Sequence, residues 1–174
     1  MKTAGWMRAL ALGAMLATGA ARAEEHDHDH GGVQADAPLA AHVRAANGRF
    51  LTFNPDALKK EGYAAIPCTS SIDGGAMGIH YVNGAYLGDV VSKIERPQAV
   101  MYEPDAQGHM HLVGVEYITF KGPATLEGQL FAFQNSPNRY GLDPFYELHV
   151  WAWKQNPRGA FADFNPHVTC AFAK

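Results

Sequence analysis

The chain has 174 residues, of which 47% are hydrophobic and 18% charged, and its formal net charge is −3. This is the length of one ordinary domain built around a single hydrophobic core. The acidic balance and the lack of a basic stripe in the sequence argue against a nucleic-acid partner. The sequence has no nucleophile elbow, phosphate-binding glycine loop or CxxC pair, so it does not support a hydrolase, nucleotide-binding or thioredoxin-like protein.

The first 23 residues have the pattern of a secretory signal peptide. Lys2 and Arg8 precede an uncharged apolar run over residues 9–17, and residues 21–23 read Ala-Arg-Ala, a small-x-small cleavage pattern. The run is shorter than the roughly 20 apolar residues that a spanning helix needs. We therefore predict a secreted, periplasmic or extracellular protein that has no membrane span once the signal peptide is removed.

The mature N-terminus is predicted to bind a metal ion. Cleavage at the predicted position would start the chain with Glu24-Glu25-His26, which resembles the amino-terminal binding motif for Cu(II) and Ni(II). The terminal amine, two backbone amides and the His26 imidazole can close a square-planar nitrogen site, to which Glu24 and Glu25 contribute backbone atoms only. His28 and His30 add imidazole donors of the kind found in His-rich metal-binding tracts, Zn(II) included. The alternative is a solubilising linker.

The organisation along the chain is a signal peptide over residues 1–23, a disordered His/Asp-rich tail over 24–37 and a single globular domain over 38–174. Apolar residues at helical spacing over 39–46 predict one helix. A second helix is predicted to begin at Asn54-Pro55, an N-cap followed by proline at N1, and to end at Gly62.

From residue 74 onward, short apolar or alternating runs are separated by Gly, Pro, Asn and Asp. They predict strands near residues 78–82, 99–102, 111–120, 130–133, 147–153 and 168–172. The predicted fold class is α+β, with two short N-terminal helices followed by a mainly antiparallel curved sheet, partial barrel or sandwich. Cys68 and Cys170 are predicted to close this domain with one disulfide, because an isolated cysteine pair in an oxidising compartment is usually bonded.

Strand parity indicates which polar side chains can meet, because residues two apart share a face of a sheet. His149 shares its predicted face with a glutamate and two tryptophans, which is typical of a pocket wall. Glu116 is predicted to share its face with apolar residues, Leu112 among them, where a carboxylate is costly to bury without a partner. His80 lies centrally in its strand, and Glu103 ends the next one.

We hypothesise that His80, Glu116 and His149, with Glu103 as a further candidate, converge as a two-histidine carboxylate site for Zn, Fe or Cu. The alternative is that each histidine is a satisfied core donor and each glutamate a partner for Arg, Tyr or backbone groups. Convergence of these groups is a question of geometry that strand periodicity leaves open.

Several segments of the chain, spread over residues 57–170, resemble a family of secreted bacterial proteins whose function is not established. The matching patterns are GxHYVN, YEP, VGVEY, LHxWxWxxNP and NPxVxC. The resemblance implies that the recurring polar positions of the family are His80, Glu103, Glu116 and His149. His109 and His111, whose spacing to the next glutamate is similar to a cupin metal motif without its glycines, are peculiar to this chain.

The leading interpretation is an exported metal-binding or small-ligand-binding protein, with Cu(II), Ni(II) or Zn(II) at the mature N-terminus and a His/Glu site in the sheet. One alternative is a periplasmic metalloenzyme in which His80, Glu116 and His149 leave a position open for water or oxygen. Another is an envelope structural protein without a ligand. The expected partner is thus a metal ion or a small molecule.

Overall fold

The computed structural model describes residues 37–89 and 93–174. The predicted signal peptide and almost all of the predicted tail lie outside the described residues. None of the helices within the described ranges is both long and apolar enough to span a membrane.

The described chain opens with helical elements: α1 (Pro38–Ala46), a 3₁₀ turn (Gly48–Phe50) and α2 (Pro55–Glu61). The Asn54 side chain accepts a hydrogen bond from the backbone N–H of Ala57, which caps the N-terminus of α2. Gly62 ends α2 in the left-handed conformation, at φ 95°, which glycine adopts without strain. Both predicted helices are confirmed, since their start and stop signals are local.

Eight strands follow within the described residues: β1 (Tyr63–Ser70), β2 (Ala76–Asn83), β3 (Ala99–Pro104), β4 (Met110–Thr119), β5 (Thr125–Leu126), β6 (Gln129–Leu130), β7 (Ala132–Gln134) and β8 (Phe145–Val150). Six of them form one antiparallel sheet in the order β1-β2-β3-β4-β8-β7, and β5 pairs with β6. The predicted fold class is confirmed as an α+β domain with a curled, half-barrel sheet.

The strand predictions differ from the structure in four places: β1 was not predicted, residues 168–172 are not a strand, the predicted strand over 130–133 is divided between β6 and β7, and the one over 147–153 ends at Val150. No strand was predicted before residue 74, yet β1, which contains Pro67, is an edge strand with a register shift between Ile66 and Thr69. Proline is tolerated at edges and bulges because a missing N–H matters less there. Residues 168–172 are not a strand, and the Thr169 N–H bonds the Glu103 carboxylate instead of a strand partner.

One face of the sheet packs against the helices in the main hydrophobic core. The Tyr102 hydroxyl donates to the Phe50 carbonyl at 2.7 Å within this core. Leu148 and Val150 of β8 are buried in the same cluster, on the face opposite His149. A second, smaller apolar cluster contains buried residues of the opposite face and of the C-terminal segment: Ala76, Met101, Val113, Trp151 and Val168.

A β-bulge in β4 corrects one prediction of parity. Met101 pairs with Gly114 but Tyr102 pairs with Leu112, so Val113 is an extra residue in the ladder. Leu112 therefore packs in the main core and does not share the face of Glu116. Strand parity assumes an uninterrupted ladder, and a bulge turns every residue beyond it to the other face.

The predicted disulfide is confirmed, and it joins Cys68 of β1 to Cys170 across a sequence separation of 102 residues. The turn between β1 and β2 lies against the same C-terminal segment. A Cβ atom at Gly75 would be 2.5 Å from the Asn165 backbone oxygen, and Gly75 has φ +82°. The C-terminal segment is thus held to the sheet by a covalent bond and by a close backbone contact.

Candidate metal centre

His80, Glu116 and His149 lie on β2, β4 and β8, and their exposed fractions are 0%, 0% and 1%. Glu116 pairs directly with His149 across β4 and β8. On the intervening strand β3, Ala99 is the partner of Glu116 and Met101 is the partner of His80. Since directly paired residues and residues two apart share a face, all three polar side chains lie on one side of the sheet.

The three side chains converge on one point. The Oε2 atom of Glu116 is 3.3 Å from His80 Nε2 and 3.8 Å from His149 Nε2. One ligand atom of each residue lies within 4.8 Å of the other two, so the group could hold a metal ion. A tetrahedral metal with bonds of about 2.1 Å separates its ligand atoms by about 3.4 Å. The observed separations therefore fit such an ion after small side-chain movements.

The loop between β7 and β8 covers this group with Arg139 and Tyr140. Arg139 Nη2 donates to Glu116 Oε1 at 2.9 Å and to Glu147 Oε2 at 3.2 Å. The Tyr140 hydroxyl donates to Glu116 Oε2, the oxygen that faces the histidines. Neither loop residue was predicted, because an arginine and a tyrosine in a turn-like sequence carry no spacing that indicates a buried site.

The surroundings of the two buried carboxylates shift their pKa values in opposite directions. Burial alone would raise the pKa of Glu116, but the charge of Arg139 outweighs it and holds that pKa below its usual range. Burial and the charge of Glu116 raise the pKa of Glu147. The site therefore favours the charged form of Glu116, the ion-pair partner of Arg139, and the protonated form of Glu147.

His80 is neutral, because burial lowers its pKa to about 3. Its Nε2 atom, which faces Glu116, is buried and has no hydrogen-bond partner. A buried polar atom without a partner costs about 1–3 kcal/mol, and most native structures avoid it. Neutral imidazole is also the form that binds metal ions. This nitrogen is therefore positioned to donate its lone pair to a metal ion.

A second carboxylate cluster lies behind His149. The Nδ1 atom of His149 is 3.5 Å from Asp163 Oδ1 and 3.8 Å from Glu147 Oε1. Gln134 Nε2 donates to Glu147 Oε1 at 2.6 Å and fixes that side chain. A carboxylate on the far nitrogen of a metal-bound histidine orients the ring and raises its basicity. Glu147, His149 and Asp163 are themselves close enough to form an alternative ligand group.

The surroundings of His149 confirm one of the two tryptophans predicted on its face, Trp151, whereas Trp153 lies beyond the end of β8 and packs against the main core. The Trp151 ring stacks on the imidazole with an interplanar angle of 14°. The nearby His149 imidazole also lowers the pKa of Asp163, which is the most solvent-accessible member of the cluster at 36% side-chain exposure. The cluster therefore opens to solvent on the Asp163 side.

Glu103 does not join the other three predicted residues. Its carboxylate accepts a hydrogen bond from Lys154 Nζ and another, at 2.9 Å, from the Thr169 N–H. It thus ties the end of β3 to the C-terminal segment. The predicted ligands of the mature N-terminus lie outside the described residues: Glu24, Glu25, His26, His28 and His30.

Comparisons with protein-family models, curated proteins and solved structures give no match for this chain. The family resemblance drawn from the sequence segments stays a prediction. A functional assignment therefore depends on the geometry and charges of the site itself.

Proposed function

We propose that this chain is an exported metal-binding protein whose inner site holds one divalent ion, zinc in the first place, between His80, Glu116 and His149. The observation that carries the proposal is the unpartnered Nε2 of His80, fully buried and 3.3 Å from a charged carboxylate oxygen. A metal ion at this point would accept lone pairs from both imidazoles and remove the cost of the unpaired nitrogen.

The ligand chemistry favours zinc over harder ions. Two imidazoles and one carboxylate suit Zn, Cu or Fe, whereas Mg and Ca prefer oxygen donors only. The observed separations of 3.3 and 3.8 Å are closer to a tetrahedral edge than to an octahedral one. With bonds of about 2.1 Å those edges are about 3.4 and about 3.0 Å. Zinc adopts tetrahedral coordination in almost all structural sites.

Burial favours binding over catalysis. A catalytic metal keeps a position that its substrate can reach. Here Arg139 and Tyr140 cover the ligands, and His80 and Glu116 have no exposed surface. A metal held in this way is protected from solvent and exchanges slowly, which suits a stabilising or sequestering role.

Export forms part of the proposal. The disulfide between Cys68 and Cys170 is of a kind that persists in oxidising compartments. The sequence before residue 24 has the signal-peptide pattern, and cleavage there would free an N-terminus suited to Cu(II) or Ni(II). We propose that this tail is a separate, exposed metal site.

Metal analysis of matched variants tests the inner site. The background is the mature chain with His26, His28 and His30 changed to Ala, which removes the tail site. After zinc loading and dialysis, both Glu116→Gln and His80→Phe are expected to lose one zinc equivalent relative to this background.

The matched control is His167→Phe, because His167 is exposed and lies outside the cluster. It is expected to leave the zinc content unchanged. His80→Phe keeps the contact between Arg139 and Glu116, so it serves if Glu116→Gln folds poorly. Unchanged zinc content in a folded His80→Phe protein, verified by circular dichroism, would refute the inner site.

A further inference from the structure

The His149 ring lies between two groups of ligand atoms. Its Nε2 atom is 3.8 Å from Glu116 Oε2 in the inner site, and its Nδ1 atom is 3.5 Å from Asp163 Oδ1 on the other side of the ring. In each group, one ligand atom of every member lies within 4.8 Å of those of the other two members, and both groups contain His149. The criterion that supports the inner site therefore holds for Glu147, His149 and Asp163 as well.

The Nδ1 atom of His149 is a second buried nitrogen without a hydrogen-bond partner. The His149 side chain is 0% exposed, and the 3.5 Å to Asp163 Oδ1 is longer than an ordinary hydrogen bond. Gln134 Nε2 donates to Glu147 Oε1 at 2.6 Å and to Asp163 Oδ2 at 3.4 Å, which holds both carboxylates beside this nitrogen. A cation there would contact the unpaired nitrogen and two carboxylate oxygens at once.

The two groups differ in their access to solvent. His80 and Glu116 have no exposed surface, and Arg139 and Tyr140 cover them. The Asp163 side chain, in contrast, is 36% exposed. An ion that arrives from solvent on this side therefore meets the Asp163 carboxylate before it meets a ligand of the inner site.

We propose that Glu147, Asp163 and the Nδ1 atom of His149 form an outer metal position, through which a divalent ion such as zinc enters the inner site. This inference rests on the proposed inner site and names the route by which that site is loaded. A neutral imidazole has a lone pair on only one nitrogen, so the ion binds His149 at Nδ1 or at Nε2, one at a time. The inner position offers two imidazoles and the outer position only one, so the ion is held more tightly inside.

Glu147 connects the two positions. Its Oε1 atom is 3.8 Å from His149 Nδ1, and its Oε2 atom accepts from Arg139 Nη2, the nitrogen that also donates to Glu116 Oε1. With bonds of about 2 Å to opposite nitrogens of one ring, the two metal positions are about 6 Å apart. The Glu147 carboxylate therefore lies beside the ion at both ends of this short path.

Nitrogen-resolved NMR of the histidines, titrated with zinc alone, locates the ion in the mature background without the tail histidines. Without further change, zinc is expected to bind His149 through Nε2. In His80→Phe, which weakens the inner position, zinc is expected to bind His149 through Nδ1 with at least tenfold lower affinity. Adding Asp163→Asn is expected to remove this weaker binding.

The possible failures are distinguishable in these spectra. If zinc binds Nε2 in the background but does not contact Nδ1 in His80→Phe, the outer position is overturned and the inner site stands. If zinc binds Nδ1 in both proteins, the inner site is refuted and the route into it fails with it.

Loading kinetics test the route itself. Stopped-flow tryptophan fluorescence follows zinc uptake, and mixing with EDTA follows release. Asp163→Asn is expected to slow both about tenfold without a comparable change in affinity, because a residue on the route acts on the rates in both directions. The matched control is Asp143→Asn, an exposed carboxylate of the loop between β7 and β8, which should leave both rates unchanged. Unchanged uptake in Asp163→Asn, or faster release with weaker binding, would show that Asp163 only orients the His149 ring and would overturn the route.

Discussion

Substitution of Arg139 by methionine should leave a buried carboxylate without its cation. Arg139 Nη2 is 2.9 Å from Glu116 Oε1, the Arg139 side chain is 14% exposed, and that of Glu116 is fully buried. Methionine keeps an apolar stem of similar shape but supplies no charge. Removing one partner of a buried ion pair costs about 3–5 kcal/mol. For a domain of this size that lowers Tm by about 6–20 °C.

Urea unfolding followed by tryptophan fluorescence, first in EDTA and then in zinc, measures the effect. We expect zinc to stabilise Arg139→Met by more than it stabilises the unsubstituted protein, because the metal supplies the missing positive charge next to Glu116. Arg96→Met is the matched control, since Arg96 forms an exposed pair with Asp89 at 3.3 Å. Such a pair is worth about 0–1 kcal/mol.

Two results would refute this reasoning. A loss below about 1 kcal/mol in EDTA would show that Arg139 does not stabilise the charge of Glu116. An equal effect of zinc on both proteins would show that the metal does not bind beside that carboxylate.

Gly75→Ala should lower the unfolding free energy by about 2 kcal/mol more than Gly74→Ala in urea titrations. Both glycines have positive φ, but only a Cβ at Gly75 meets backbone atoms, so equal losses would contradict the close contact. Replacing Cys68 and Cys170 by serine should lower the free energy of unfolding by about 2–5 kcal/mol in the same assay, because the disulfide closes a long loop. An unchanged urea midpoint would contradict this expectation. In the exported protein, His26→Ala should abolish a one-to-one Cu(II) d–d absorption band, and its survival would argue against the N-terminal site.

The helices and most strands were predictable because their signals are local. Asn54 and Gly62 cap α2 through contacts within a few residues. In β8, the alternation of apolar and polar residues indicates which side chains enter the core. The bulge at Val113 was not predictable, because it is a property of the pairing between two strands and not of either sequence. For the same reason the edge strand around Pro67 was missed.

The candidate site likewise contains residues that the sequence predicted and residues that it did not. His80, Glu116 and His149 were candidates because a polar residue at a buried strand position needs a partner or a ligand, but strand parity left their convergence open. Arg139 and Tyr140 were not predicted, because their loop folds back onto a carboxylate 23 and 24 residues earlier in the chain. Only the tertiary structure shows which charge a loop residue neutralises.

Anomalous diffraction from crystals of the zinc-loaded protein tests the central claim most directly. We expect a zinc peak about 2.0–2.2 Å from His80 Nε2, His149 Nε2 and Glu116 Oε2, with Tyr140 moved away from that oxygen. Zinc found only at other positions, with the Tyr140 hydroxyl still bonded to Glu116, would contradict the inner metal site.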